Sequence, residues 1–298
     1  MEAKIEFIAE GTVTSPKGFH AGATYVGIKK KAKDGLDLGI LFSEAPCLAT
    51  ALFTNNKIKA APIILCQKHL QSERAAAVVV NSGCANAFTS EQGLADAAEM
   101  ADLAAKGIGI TPEDVLVAST GVTGQRLPMK LIRAGIKRVV LSRDGGHELA
   151  KAMMTTDTVP KETAVAARVG DSQFIVGGVA KGSGMIHPNL ATMLCLLTTD
   201  AAVDIDFLKL ALRKAVGVSL NMVSIDGDTS PSDMVVIMAN GLAKMRSLGK
   251  IQSKLRFFSK LLTRSVSIWL KLLPGMAREL VSLLRLRLVE HLVRLKPG

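Results

Sequence analysis

The pattern of apolar and polar positions divides the first 243 residues into short β-branched runs and helical stretches. AAAVVVNSG (75–83) is an unbroken apolar run closing in turn residues, which predicts a strand buried on both faces. Between 93 and 107, Leu94, Ala97, Ala98, Ala101 and Ala105 recur at helical spacing and predict an amphipathic helix closed by a glycine. VLVAS (115–119) predicts a second buried strand; after the loop TGVTG, LPMKLIRAGIKRVV (127–140) predicts a helix with Pro128 in its first turn. FIVGGVAKGSG (174–184) predicts a strand running into a glycine-rich loop, and ATMLCLLTTDA (191–201) another strand. A helix follows over 204–219 with acids near its start, and the turn-rich SIDGDTSPSD (224–233) leads into the strand MVVIMAN (234–240). This alternation predicts an α/β fold, a sandwich of sheets and helices, rather than an all-helical or all-β one.

Composition changes that picture at one place. The 298 residues, 48% hydrophobic, suffice for a large core and exclude both disorder and a small stapled scaffold. The formal charge is +11, a value that suggests nucleic acid or an anionic membrane until it is located along the chain. Residues 244–298 hold 13 of the 37 Lys+Arg and only Glu279 and Glu290 of the 26 Asp+Glu, so residues 1–243 are neutral. The same stretch is rich in Leu and has no Asp or Asn, which marks a boundary near 243. Cys47, Cys66, Cys84 and Cys195 are too widely spaced for a metal or redox clip, which predicts free thiols in a reducing, cytoplasmic setting. Glu2, Glu6 and Glu10 argue against a secretory signal, and no apolar run is long enough to span a bilayer.

Several residues are candidates for chemistry. Thr192 places a hydroxyl at the head of an apolar strand behind a loop containing Gly and Pro; alone, it is an ordinary β-former. STGVTG (119–124) ends a predicted strand in a glycine turn, and Lys181 flanks a glycine loop that lacks the spacing of a phosphate-binding GxxxxGK[ST]. Asp226 and Asp228 are spaced as in a calcium loop, but no Glu follows at the twelfth position, so Asx-turns and no metal are expected. Cys84 is expected to be a packed thiol.

KGSGMIHPNLATMLCLLTTDA, NSGCANAFTSEQGLADA, STGVTGQRLPM, MTTDTVPKETAV and SIDGDTSPSDMVVIMANG together resemble, in order and spacing, the ornithine acetyltransferases, also called glutamate N-acetyltransferases, the bifunctional family of the cyclic arginine pathway. The resemblance covers about residues 5–243. It implies a self-cleaving N-terminal-threonine acyltransferase fold, cut between Ala191 and Thr192 into an α chain (1–191) and a β chain beginning with 192–243. The two chains would stay together as a heterotetramer of two α and two β. Thr192 would be the nucleophile, Thr120 and Gly121 the oxyanion hole, and Thr155, Lys181 and Thr192 the substrate contacts. The reaction implied carries an acetyl group from N-acetylornithine to glutamate through acetyl-Thr192. No cofactor is implied beyond the acetyl donor, which in some members is also acetyl-CoA, and no nucleic-acid or membrane partner. An α-amino group titrates at roughly 7.7–8.0 against about 10.4 for Lys, so a freed Thr192 amine can serve as its own base near neutral pH.

The family's DGEGATK-like and NWGR-type segments are missing from 244–298, which implies a chain truncated relative to the family. The basic stretch is expected to be a frameshifted reading: residues 274–291 can be back-translated so that another frame reads RDGEGASKLIEVEACGA. An inactive homologue of low stability is the corresponding alternative. The competing expectation takes SKLRFFSKLLTRSVSIWLKLL (253–273) as a basic amphipathic helix for a membrane surface or nucleic acid.

Overall fold

The computed structural model describes residues 3–29, 35–169, 172–183, 193–222, 228–245, 258–260 and 262–263. The strands are β1 (Ala3–Ile8), β2 (Phe19–Thr24), β3 (Leu38–Phe53), β4 (Arg74–Cys84), β5 (Val115–Val122), β6 (Lys161–Val169), β7 (Ser172–Lys181), β8 (Leu194–Thr199) and β9 (Met234–Ala239). The helices are α1 (Ala61–His69), α2 (Ser90–Ile108), α3 (Met129–Ile136), α4 (Gly146–Met153) and α5 (Ile205–Gly217). The strands hydrogen-bond in the order β1-β6-β7-β8-β9-β3-β4-β5, with β2 on the other side of β3. Most neighbours are antiparallel; β4 with β5 and β8 with β9 are parallel.

This single hydrogen-bonded set folds into two facing layers because β3 serves both. Its first part, from Leu38, pairs with β2 and β4, while Leu48 to Phe53 pair with β9. Between Phe42 and Cys47 the β3–β4 register shifts, and a bulge of this kind bends the strand. Leu41, Val78, Val80, Leu116 and Ala118 of one layer meet Val179, Leu194, Leu196, Met234, Val236 and Met238 of the other in a common core. The outward faces are covered by helices. Phe207, Leu208, Ala211, Leu212 and Ala215 of α5 pack on Cys195, Leu197, Val235 and Ile237. Ala97, Met100, Ala101, Ala104 of α2 and Ile132 of α3 pack on Ala77, Val79, Val115 and Val117. The result is a helix–sheet–sheet–helix sandwich, and central strands buried on both faces explain the uninterrupted apolar runs.

The local chemistry fits the elements. Asp204 caps α5 by accepting from the amides of Asp206 (3.0 Å) and Phe207 (3.3 Å). The glycine that closes α2 is Gly109, left-handed at φ 87°, and not Gly107, which lies within the helix. The helix expected over 127–140 ends at Ile136, and α4 was not legible in the pattern.

The basic stretch contributes to the core. Phe258 is fully buried, its ring centroid 5.8 Å from that of Phe174 and 5.5 Å from that of Phe207, and Leu262 is buried in the same cluster. The change of charge near 243 is therefore not where packing stops.

Candidate active site

The alternation of side chains along a strand puts Lys181 on the same face as Val179, and Thr120 on the same face as Leu116 and Ala118. Both residues therefore point between the layers, from opposite sheets. They meet there: Lys181 Nζ donates to Thr120 Oγ1 at 3.1 Å, with Lys181 5% and Thr120 7% exposed. An ammonium has only donors, so Thr120 must accept from it and its own hydroxyl proton stays free to donate elsewhere.

Burial pushes the Lys181 ammonium below its ordinary pKa, while Asp157 and Asp233 pull the other way and Lys161 adds to the lowering. Asp157 lies in the turn between α4 and β6. Its carboxylate accepts from the buried Lys161 ammonium and from the amides of Gly182 (2.8 Å) and Thr155 (3.1 Å). Burial works to raise the Asp157 carboxyl, but the hydrogen bonds from Lys161 and Gly182 and the charges of Lys161 and Lys181 hold it below the ordinary range. One acid thereby ties Thr155, Lys161 and the residue after Lys181 together, so two of the expected substrate contacts share an anchor.

A second anchor lies behind the first. The Asp37 carboxylate accepts from four successive amides, Val26 (2.7 Å), Gly27 (3.0 Å), Ile28 (2.7 Å) and Lys29 (3.1 Å). Lys29 then donates through Nζ to the carbonyl of Met154 at 2.8 Å, next to Thr155. Desolvation lowers the Lys29 pKa, against the attraction of Asp37 and Asp157.

Gly121 follows Thr120 at φ 128°, and a Cβ there would sit 2.4 Å from the carbonyl carbon of Gly83 and 2.7 Å from the amide nitrogen of Cys84. Only glycine fits where the parallel pairing of β4 and β5 becomes irregular, and it leaves the backbone beside Thr120 at the surface. Cys84 donates to the Gln125 carbonyl at 3.3 Å, and burial raises its pKa, so it is a packed thiol rather than a nucleophile.

Ala191 and Thr192 lie outside the described residues, as does Asp226. The chain re-enters at Met193, whose amide donates to Asp233 Oδ1 at 3.1 Å, and Leu194 pairs with Lys181 across β7 and β8. Thr120, Lys181 and Thr155 are thus brought into one neighbourhood, with the head of β8 beside them. Sequence reasoning missed Asp157, Lys161, Asp233 and Lys29. The available signal was positional: Asp233 stands directly before six wholly buried residues, and Lys161 begins a buried strand, so neither can be an ordinary solvated charge.

The fold and this cluster define a four-layer sandwich with hydroxyl, lysine and carboxylate groups gathered between the two inner layers. The model of the ArgJ family matches residues 20–268, and the chain belongs to that family. The match runs into the basic stretch, beyond the limit near 243 expected from the motifs. The arginine biosynthesis bifunctional protein ArgJ of Dehalococcoides mccartyi (strain CBDB1) is 50% identical over 244 residues, 82% of this chain and 60% of that protein. The corresponding protein of Bacillus subtilis (strain 168) is 46% identical over 239 residues, 80% of this chain and 58% of its own length. The chain thus spans about 60% of the length of the curated relatives it matches. Among solved structures, argJ from Bacillus halodurans superposes with a TM-score of 0.60 at 40% identity, covering 65% of this chain and 100% of that one. Ornithine acetyltransferase from Mycobacterium tuberculosis, complexed with ornithine, gives 0.57 at 37% identity, covering 64% and 100%. A Burkholderia β-aminopeptidase at 11% identity and TM-score 0.55, covering 88% of this chain and 86% of its own, shares the fold alone.

Proposed function

We propose that this chain carries the acetyl-transfer machinery of its family, moving acetyl from N-acetylornithine to glutamate through Thr192 after cutting itself between Ala191 and Thr192. The observation that carries the reading is the Lys181–Thr120 contact between the sheets, beside the strand that Thr192 leads into. In the cut, the Thr192 hydroxyl attacks the Ala191 carbonyl. The C–N bond breaks as the C–O bond forms, the hydroxyl proton passes to nitrogen, and water hydrolyses the resulting ester to an Ala191 carboxylate and a free Thr192 amine.

In the transfer, the amine takes the hydroxyl proton as Thr192 attacks the acetyl carbonyl. Ornithine leaves with that proton on its nitrogen, and the amine of glutamate then attacks the acetyl ester and restores Thr192. The Thr120 hydroxyl, with its proton free, and the exposed backbone at Gly121 suit the charge developing on the carbonyl oxygen. Lys181 and Thr155 offer a cation and a hydroxyl to substrate. The chemistry calls for no cofactor besides the acetyl donor, acetyl-CoA being a second donor to test. The two pieces would remain together as a heterotetramer of two copies of each, in the cytoplasm.

The test is the mass of the purified chain together with an assay of acetyl transfer. Two fragments dividing at Ala191–Thr192 and transfer from N-acetylornithine to glutamate are expected, both abolished by Thr192→Ala. Fragments that persist in Thr192→Ala overturn the assignment.

A further inference from the structure

Asp233 is the last residue before β9, the parallel neighbour of β8, and the heads of these strands are tied twice. The Met193 amide donates to Asp233 Oδ1 at 3.1 Å, and the Met234 amide donates to the Met193 carbonyl at 3.1 Å. Asp233 is 2% exposed, and its second oxygen, Oδ2, is buried with no hydrogen-bond partner among the described residues. A buried carboxylate left half-satisfied is costly, and such a group in a native core calls for an explanation.

The charged group facing Asp233 is Lys181 on β7, whose ammonium donates to Thr120, feels the charges of Asp157 and Lys161 as well, and makes no hydrogen bond to Oδ2. The Ser230 hydroxyl and amide lie near enough to the carboxyl to lower its pKa, while Oδ2 keeps no hydrogen-bond partner among the described residues. Burial pushes the Asp233 carboxyl up to about 8, against the opposing pulls of Ser230, the Met193 amide and Lys181.

Covalent connectivity limits how far the next nitrogen in the chain can lie. Standard bond lengths keep the Thr192 nitrogen within about 3.7 Å of the Met193 nitrogen, which Asp233 already holds. In the uncut chain the Thr192 nitrogen is a neutral amide. Cleavage turns it into an amine that binds a proton, so the counter-charge for Asp233 comes into existence only when the bond is broken.

We propose that Asp233 is the positioning residue for the Thr192 α-amine, its free oxygen holding the nitrogen that self-cleavage exposes so that the amine faces its own hydroxyl. The inference rests on the function proposed above. Asp233 then stabilises the ammonium that forms as the amine takes the hydroxyl proton, and the two groups titrate as a coupled pair.

The test uses the full-length chain labelled with 13C-aspartate. The Asp233 carboxyl is followed against pH in the uncut Thr192→Ala protein and in the cut wild type, its signal identified by its loss in Asp233→Glu. The expected result is a carboxyl titrating far above the ordinary range in the uncut protein and at least one pH unit lower in the cut one. In acetyl transfer, Asp233→Asn is expected to lower kcat with little change in KM and to move the acid limb of the pH profile down by about one unit, because the amine loses the carboxylate that favours its charged form. If Asp233→Asn does not fold, the titration comparison still decides. A wild type that is not cut at Ala191–Thr192 overturns the function and this inference with it. A wild type that is cut, with an Asp233 titration unchanged from Thr192→Ala, overturns this inference alone.

Discussion

Lys181 and Thr120 touch at 3.1 Å although they lie on β7 and β5, strands far apart in the hydrogen-bonding order and 61 residues apart in sequence. The contact exists only because the sheet folds over at β3. Replacing Thr120 by Val keeps the shape and removes both the acceptor for Lys181 and the free hydroxyl proton. Acetyl transfer is expected to fall by about 10²–10³ in kcat, the usual loss for one oxyanion donor. Steady-state kinetics check this, and a variant with kcat within threefold of wild type would remove Thr120 from the mechanism.

The Asp157–Lys161 pair is buried on both sides. Removing one member leaves a charge without its partner, so Asp157→Ala is expected to destabilise by about 3–5 kcal/mol in chemical denaturation. Adding Lys161→Met should recover part of the loss, since an apolar pair costs less than an orphan charge. Equal midpoints for the single and double variants would contradict this.

The two site acids act oppositely on stability as pH changes. Asp157 is held below its ordinary pKa, so its contribution is present above the ordinary carboxylate range and lost as pH falls through its lowered folded value. Asp233 in the uncut protein is raised to about 8, so the folded state binds the extra proton and stability declines as pH rises from about 4 towards 8. Thermal melts of Thr192→Ala against pH should show this decline, and the further change Asp233→Asn should flatten it. A slope that survives Asp233→Asn would assign it to another group.

Phe258 tests the basic stretch. Its ring fills the space between Phe174 and Phe207, so Phe258→Ala is expected to cost about 3–5 kcal/mol. A free membrane- or nucleic-acid-binding helix would lose little on that change. Equilibrium unfolding, with vesicle and DNA binding measured at two salt concentrations, separates the two.

The strands over 75–83 and 115–119 were legible because burial on both faces writes an apolar run that needs no partner information. β3 was not, since LGILFSEAPCLATALF carries Ser43, Glu44 and Pro46 at the bulge and reads as a break rather than one strand. In the site, Thr120, Gly121, Thr155 and Lys181 were legible through their resemblance to family motifs, and α4 was hidden by its short length. Asp157 and Lys29 stayed hidden for a physical reason: a charge satisfied by partners in the fold has the same letter as a charge satisfied by water, and only the places of Lys161 and Asp233 at the heads of strands set them apart. Asp233 meets Met193 across 40 residues, a distance over which local pattern carries nothing.

The fold of β3 has a mechanical consequence. The two layers are continuous through one strand, so they cannot slide independently, and the angle set at 43–46 bears on their separation where Lys181 faces Thr120. A substitution that straightens this corner would alter the spacing of Lys181 and Thr120 at the far end of both layers without touching either residue, so the geometry of the proposed site can be tuned from outside it.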